Sequence, residues 1–148
     1  MGTKGVEPHP IALVCGGLIR RPCAARSALA EEGFDVACCA GPEAVFQETM
    51  RRAPDLVVYE IGPDRAADHE VLELLRCVCP NAPLVIAGDG GSLESRRALQ
   101  DFRPLYFALH PTDRSEWSHL VRAIASRRRC RPEGPRTAFT VSRRAPVA

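Results

Sequence analysis

The sequence predicts an α/β domain: a doubly wound, five-stranded parallel sheet with five helices packed on its two faces. Three observations predict it. Short apolar runs near residues 11–15, 34–39, 55–61, 84–87 and 105–109 alternate with segments of helical period, and such alternation marks a parallel sheet. The central run, Leu56, Val57, Val58 and Tyr59, is bounded by Pro54 and by Gly62 and Pro63, which is how a strand buried on both faces reads. Gly and Pro fall between the segments and seldom inside them.

Residues 1–10 hold two Gly and two Pro and few apolar side chains, so they are expected to form a poorly ordered leader. Residues 11–15 read as the first strand, ended by Gly16 and Gly17. A helix follows over about 20–32, with Ala24, Ala25, Ala28 and Leu29 on one face and Arg20, Arg21, Glu31 and Glu32 outside. Pro22 is tolerable there because it lies in the first turn. Gly33 sits where a helix end wants positive φ. Residues 34–39 form the second strand. Gly41, Pro42 and Glu43 open a helix through Ala44, Val45, Phe46 and Met50, stopped by Pro54. The strand at 55–61 carries a carboxylate at its far end, Glu60. A polar loop over 62–68 precedes a helix built on Val71, Leu72, Leu74, Leu75 and Val78, which Pro80 and Pro83 break. Residues 84–87 form a fourth strand, ending in Gly88, Asp89, Gly90 and Gly91. Ser92 caps a helix to about 102, reinforced by Glu94 and Ser95. Residues 105–109 form the fifth strand, ending in His110 and Pro111. Thr112 caps the last helix, whose stripe is Trp117, Leu120, Val121 and Ile124. Right-handed crossovers restrict the topology, and the flavodoxin-like order 2-1-3-4-5 is its common solution. Beyond residue 127 the periodicity dissolves into Arg, Pro and Ser. The expected domain is therefore 11–127, followed by a disordered Arg/Pro-rich tail over 128–148.

At 148 residues, one domain with its own core is expected. No apolar run approaches the roughly 20 residues of a membrane helix, and residues 1–10 lack the layout of a signal peptide. A cytoplasmic protein without membrane contact is the expectation. The seven cysteines are Cys15, Cys23, Cys38, Cys39, Cys77, Cys79 and Cys130. No pair of C-x-x-C units occurs, and no His or Cys follows Cys79 at finger spacing, so reduced free thiols are expected and no metal site. Residues 126–148 hold seven Arg and one Glu, a local +6. The whole chain is +2, so residues 1–125 carry −4.

The segments GPEAVFQETMRRAPDLVVYEI (41–61), VLELLR (71–76), PLVI (83–86) and FALHP (107–111) resemble bacterial response-regulator receiver domains. The likeness spans about 11–127. Its chemistry is degenerate. The resemblance places the phosphoryl-accepting Asp of the family at Glu60. The acidic pair that holds Mg²⁺ falls on Cys15 and Gly16, or on Gly16 and Gly17, and neither choice offers a carboxylate. The hydroxyl that reads the phosphoryl group becomes Gly88. The Lys before a Pro becomes His110, with Pro111 retained, and the switch aromatic falls on Phe107.

Mg²⁺ is usually held by one or two carboxylates plus phosphate, and Glu60 with Asp89 from the next loop is a weak cage. Charge building up during phosphoryl transfer would then have little to offset it. Glu60 also reaches one methylene further than Asp, and a misplacement of about 1 Å can cost about 100-fold in rate. Phosphotransfer is not expected. A Glu60–His110 ion pair, which would lock one state of a former switch and add pH sensitivity, is weighed against two solvated side chains. Cys15, His110 and Glu60 could form a thiol–imidazole–carboxylate set, but no oxyanion hole is identifiable beyond the Gly-rich turns; a redox- or metal-responsive Cys15 is a further alternative, and an inert packed Cys15 is the default. The loop 88–91 is read as a loop and not a phosphate cradle, since Asp89 would repel an anion.

The resemblance implies a partner face made by the fourth helix, fifth strand and fifth helix. Trp117 is read as core ahead of interface anchor, and a second copy of the chain is one candidate occupant of that face. The Arg-rich tail has only Phe139 to stack on a base, so nucleic-acid binding through it is not the preferred reading. The expected function is an atypical stand-alone receiver-like signalling module that works by protein–protein contact in a two-component or phosphorelay setting. No catalytic residue, cofactor or metal is expected. The alternatives are a phosphoryl-accepting regulator with an unusual site and an Arg-tailed nucleic-acid-associated regulator.

Overall fold

A computed structural model of the protein describes residues 9–16, 24–88, 93–109 and 114–129; for 93–95, 109, 128 and 129 it describes the backbone alone. The elements run β1 (Ile11–Gly16), α1 (Ala24–Glu31), β2 (Asp35–Cys39), α2 (Pro42–Arg51), β3 (Leu56–Glu60), α3 (Arg65–Val78), β4 (Leu84–Gly88), α4 (Leu93–Gln100), β5 (Tyr106–Leu109) and α5 (Arg114–Arg129). The five strands form one parallel sheet in the order β2-β1-β3-β4-β5. The predicted class and strand order are both present.

Alternation along the strands sends successive side chains to opposite faces, and each face has its own core. Ala12, Val14, Leu56, Val58, Val85 and Ala87 meet α1 and α5 through Leu29, Trp117 and Val121. Leu13, Val57, Tyr59 and Ile86 meet α2, α3 and α4 through Val45, Leu72, Leu75 and Leu99. β3 is buried from Leu56 to Tyr59, as its uninterrupted apolar run predicts.

Several boundaries differ from expectation for physical reasons. α3 starts at Arg65, inside the segment read as a polar loop, because the Asp64 side chain accepts a hydrogen bond from the Ala67 N–H at 3.1 Å and caps the first turn. Phe46 and Met50 lie on the outer side of α2, 49% and 60% exposed, and only Val45 of that helix is fully buried. Leu105 precedes β5 and is exposed. α5 continues to Arg129, past the expected limit at 127. Gly33 has φ of 88°, the left-handed turn expected after α1. The predicted start of α1, with Pro22, and the caps at Ser92 and Thr112 lie outside the described residues.

Candidate functional site at the carboxyl edge of the sheet

Glu60 is the last residue of β3, half-buried, in register with Gly16 of β1 on one side and Ala87 of β4 on the other. The carboxyl ends of three central strands therefore converge on it, where ligand chemistry gathers in such sheets. The two glycines at this edge are there for steric reasons. Gly16 has φ of 80°, and a Cβ on it would collide with the Glu60 carbonyl oxygen. Gly88 has φ of 151°, and a Cβ there would stand 2.8 Å from Ile61 Cγ1. Backbone and Ile61 occupy the volume that side chains at positions 16 and 88 would need. An acidic residue or a hydroxyl could replace either glycine only if β3 or Ile61 moved.

The register decides two matters that the sequence leaves open. Gly16, and not Cys15, stands beside Glu60. Cys15 pairs with Tyr59 and packs with it in the core under α2 and α3. Strand alternation turns Glu60 to the other face of the sheet from Tyr59 and Cys15. The thiol–imidazole–carboxylate set is thus not assembled, because its thiol and its carboxylate face opposite sides. Asp89 and His110 lie outside the described residues, and with them the Glu60–His110 ion pair and most of the 88–91 loop. Among the described residues no group of three or more His, Cys, Asp or Glu is placed to hold a metal ion.

Beneath the edge lies a polar contact that sequence reasoning missed. The Tyr59 hydroxyl donates to Asp68 Oδ1 at 2.5 Å, and the Gly62 N–H donates to Asp68 Oδ2 at 2.9 Å. Asp68 is 7% exposed, the only buried charged residue among those described. It pins the turn after β3 to the first turn of α3. Burial, then its bond to Asp68, pushes the Tyr59 hydroxyl well above the usual phenol range. The available signal was Asp64 as a helix cap, which would have put Asp68 on the inner face one turn later.

Cys15 and Cys39 are in-register neighbours on β1 and β2, both 1% exposed. The approach of the two thiols, then burial, holds the Cys15 thiol protonated far above the usual range, and the same approach lowers Cys39. Phe107 is half-buried against the core under α3 and α4. Trp117 is 2% exposed and packs into the other core, so it is no surface anchor. Between β5 and α5 lies an open groove of about 650 Å³, lined by Leu105, Tyr106, His119, Leu120, Ile124 and Arg127 among others. Leu105 and Tyr106 are 43% and 46% exposed there.

No family model and no curated protein matches the sequence. Solved structures do match the fold. A response regulator from Thermotoga maritima superposes with a TM-score of 0.67 at 18% identity, over 80% of this chain and 99% of its own. The receiver domain of a putative Luxo repressor protein from Vibrio parahaemolyticus gives a TM-score of 0.67 at 16% identity, over 82% and 94% of the two chains. NtrX from Brucella abortus, solved in complex with ADP, gives 0.66 at 16% identity, over 82% of this chain and 27% of its own. The fold is that of receiver domains.

Proposed function

We propose that this chain is a degenerate receiver-like signalling module that acts by protein–protein contact and neither binds Mg²⁺ nor accepts a phosphoryl group. One observation carries the reading: at the edge where a receiver does its chemistry, Gly16 and Gly88 leave no room for the side chains that chemistry needs. Glu60 alone supplies too few hard oxygens for Mg²⁺. A partner would dock on the face made by α4, β5 and α5, where the apolar groove and the exposed Leu105 and Tyr106 lie. Large apolar side chains flanked by charge are what a protein partner covers. No helix among the described residues is long and apolar enough to cross a membrane.

The test is amide NMR of the full chain, titrated with Mg²⁺ and then with beryllofluoride, a phosphoryl mimic. The expected result is a folded spectrum that neither addition shifts at Gly16, Glu60, Gly88 or Phe107. Saturable, concerted shifts at those four amides would show a working phosphoryl site and overturn the reading.

A further inference from the structure

We propose that Cys15 and Cys39 form a reversible disulfide when the protein meets a hydroperoxide, which makes the β1–β2 side of the sheet a thiol modification site. The inference stands on the placement of the two thiols and does not need the Glu60 edge to be inactive.

Four observations carry it. Cys15 and Cys39 are Cα partners in the parallel β1–β2 ladder. Neighbouring strands lie about 4.8 Å apart, inside the roughly 4.4–6.8 Å window in which two Cα atoms can be bridged. Both side chains belong to the same core, so they project from the same face of the sheet. Both are free, buried thiols. Closing the bond therefore asks for a change of side-chain rotamers and no strand displacement.

The surroundings select the oxidant. Cys39 is the last residue of β2, an edge strand, and its neighbours Cys38 and Ala40 are exposed. Opening at such a strand end lets in a molecule of peroxide size, while a bulky thiol reagent meets Cys38 first. Cys38 cannot take the place of Cys39 in the bridge, because alternation points it to the other face.

The chemistry balances with a hydroperoxide as the sole oxidant. Cys39, at the end of the edge strand and next to the exposed Ala40, attacks the terminal peroxide oxygen as thiolate. The O–O bond breaks, and the departing alkoxide takes up the proton that Cys39 released. The product is a sulfenic acid on Cys39. The Cys15 sulfur then attacks the Cys39 sulfur, the S–O bond breaks, and the hydroxyl leaves as water with the Cys15 proton. Two thiols and one hydroperoxide give one disulfide, one alcohol (water, for hydrogen peroxide) and one water, with two electrons passing from sulfur to oxygen. A dithiol reductant reverses the step. The bridge would tie β1 to β2 one residue before Gly16, next to the edge that holds Glu60.

The test uses the full reduced chain, treated with hydrogen peroxide, blocked with N-ethylmaleimide, digested and mapped by mass spectrometry. The expected product joins the peptide holding Cys15 to the peptide holding Cys38 and Cys39, lighter by two hydrogen atoms and lost on reduction. Cys38→Ser keeps the product and makes the assignment to Cys39 unique; Cys15→Ser and Cys39→Ser each abolish it. Maleimide added without peroxide should label Cys38 ahead of Cys15 and Cys39. If peroxide consumes Cys38 while Cys15 and Cys39 still take up maleimide after unfolding, the proposal fails. It fails equally if the mapped bridge joins either thiol to another cysteine. Both of these readouts come from the wild-type chain, so a variant that folds poorly does not blunt the test.

Discussion

Glu60 explains how much a single residue can announce and where that stops. Its place at the end of the central strand follows from the apolar run before it and the Gly62–Pro63 break after it, and the structure puts it there. The sequence also shows that positions 16 and 88 are glycines. It does not show why, because the atoms that forbid a side chain belong to residues 44 and 27 positions away, the Glu60 carbonyl and Ile61. Replacing Gly16 by Ala should cost at least about 2 kcal/mol: a left-handed non-glycine residue alone costs roughly 1–3, and its Cβ would also overlap β3. Urea unfolding measures this directly, and an unchanged midpoint would mean that the β1–β3 edge is looser than described. Glu60→Asp supplies a carboxylate of the type receivers phosphorylate without supplying a metal cage. It should therefore take up no phosphoryl label from acetyl phosphate with Mg²⁺. A second residue-scale expectation concerns pH. Burial moves the Cys79 thiol from 9.0 to about 11. Below pH 9.0 both folded and unfolded states keep the proton; above it the unfolded state loses the proton first. The stability that this thiol contributes is thus full below 9.0 and lost as pH rises through about 11, up to roughly 2–3 kcal/mol. Tyr59, raised by burial and Asp68, steepens the same decline. Wild type should weaken over that window, and Cys79→Ala should weaken less. Equal slopes would remove Cys79 as the cause.

At the scale of elements, the sheet and helices were legible because each carries its own period and its own punctuation. What was not legible came from contacts between elements. Arg76, near the end of α3, is the clearest case. Its guanidinium donates to the Phe102 carbonyl at 2.5 Å, the Arg103 carbonyl at 2.9 Å and the Ala82 carbonyl at 3.0 Å. It thus ties α3 to the chain before β4 and to the turn after α4. In sequence it is one more charged residue on an amphipathic helix, because its partners lie up to 27 positions away. The same holds for Asp68, whose partners sit on β3 and in the turn after it. Phe46 and Met50 err in the other direction: apolar in sequence, they are turned outward where α2 meets no further layer. A planar fork that serves four carbonyls, the fourth being that of Pro80 at 3.4 Å, cannot be copied by an ammonium group. Arg76→Lys should cost about 2–3 kcal/mol, since it leaves half-buried carbonyls without donors. Hydrogen exchange localises the effect. The Phe102 and Leu105 amides, bonded to Leu99 and Leu84, should lose protection well before those of β1 and β3. Uniform loss across the sheet would mean that Arg76 supports the whole fold and not this corner.

For the whole molecule, the order β2-β1-β3-β4-β5 leaves the sheet with β2 and β5 as its edges, and each face has a core of its own. α5 closes one core through Trp117, Val121, Ile124 and Ala125, while Ser126 and Arg127 are already exposed. Among the described side chains Ala125 is the last that α5 places in this core, while its backbone runs on to Arg129. Past residue 127 the chain carries six Arg and one Glu, a surplus of +5 on a protein of net charge +2, so a chain ending there would stand at −3. Long-range charge decides association and solubility far more than it decides the fold. A chain ended after Arg127 should thus keep the urea midpoint of the full one, while its binding moves from a cation exchanger to an anion exchanger. A lower midpoint would show that the tail packs on the domain. The same pair of chains separates the reading as a protein-contact module from the nucleic-acid alternative. Retention on duplex DNA at salt well above that which releases the chain from the cation exchanger, lost with the tail, would favour the latter, because specific phosphate contacts add to the counterion release of bulk charge. The expected result is that the full chain leaves DNA at the same salt as it leaves the cation exchanger, which is the behaviour of bulk charge alone.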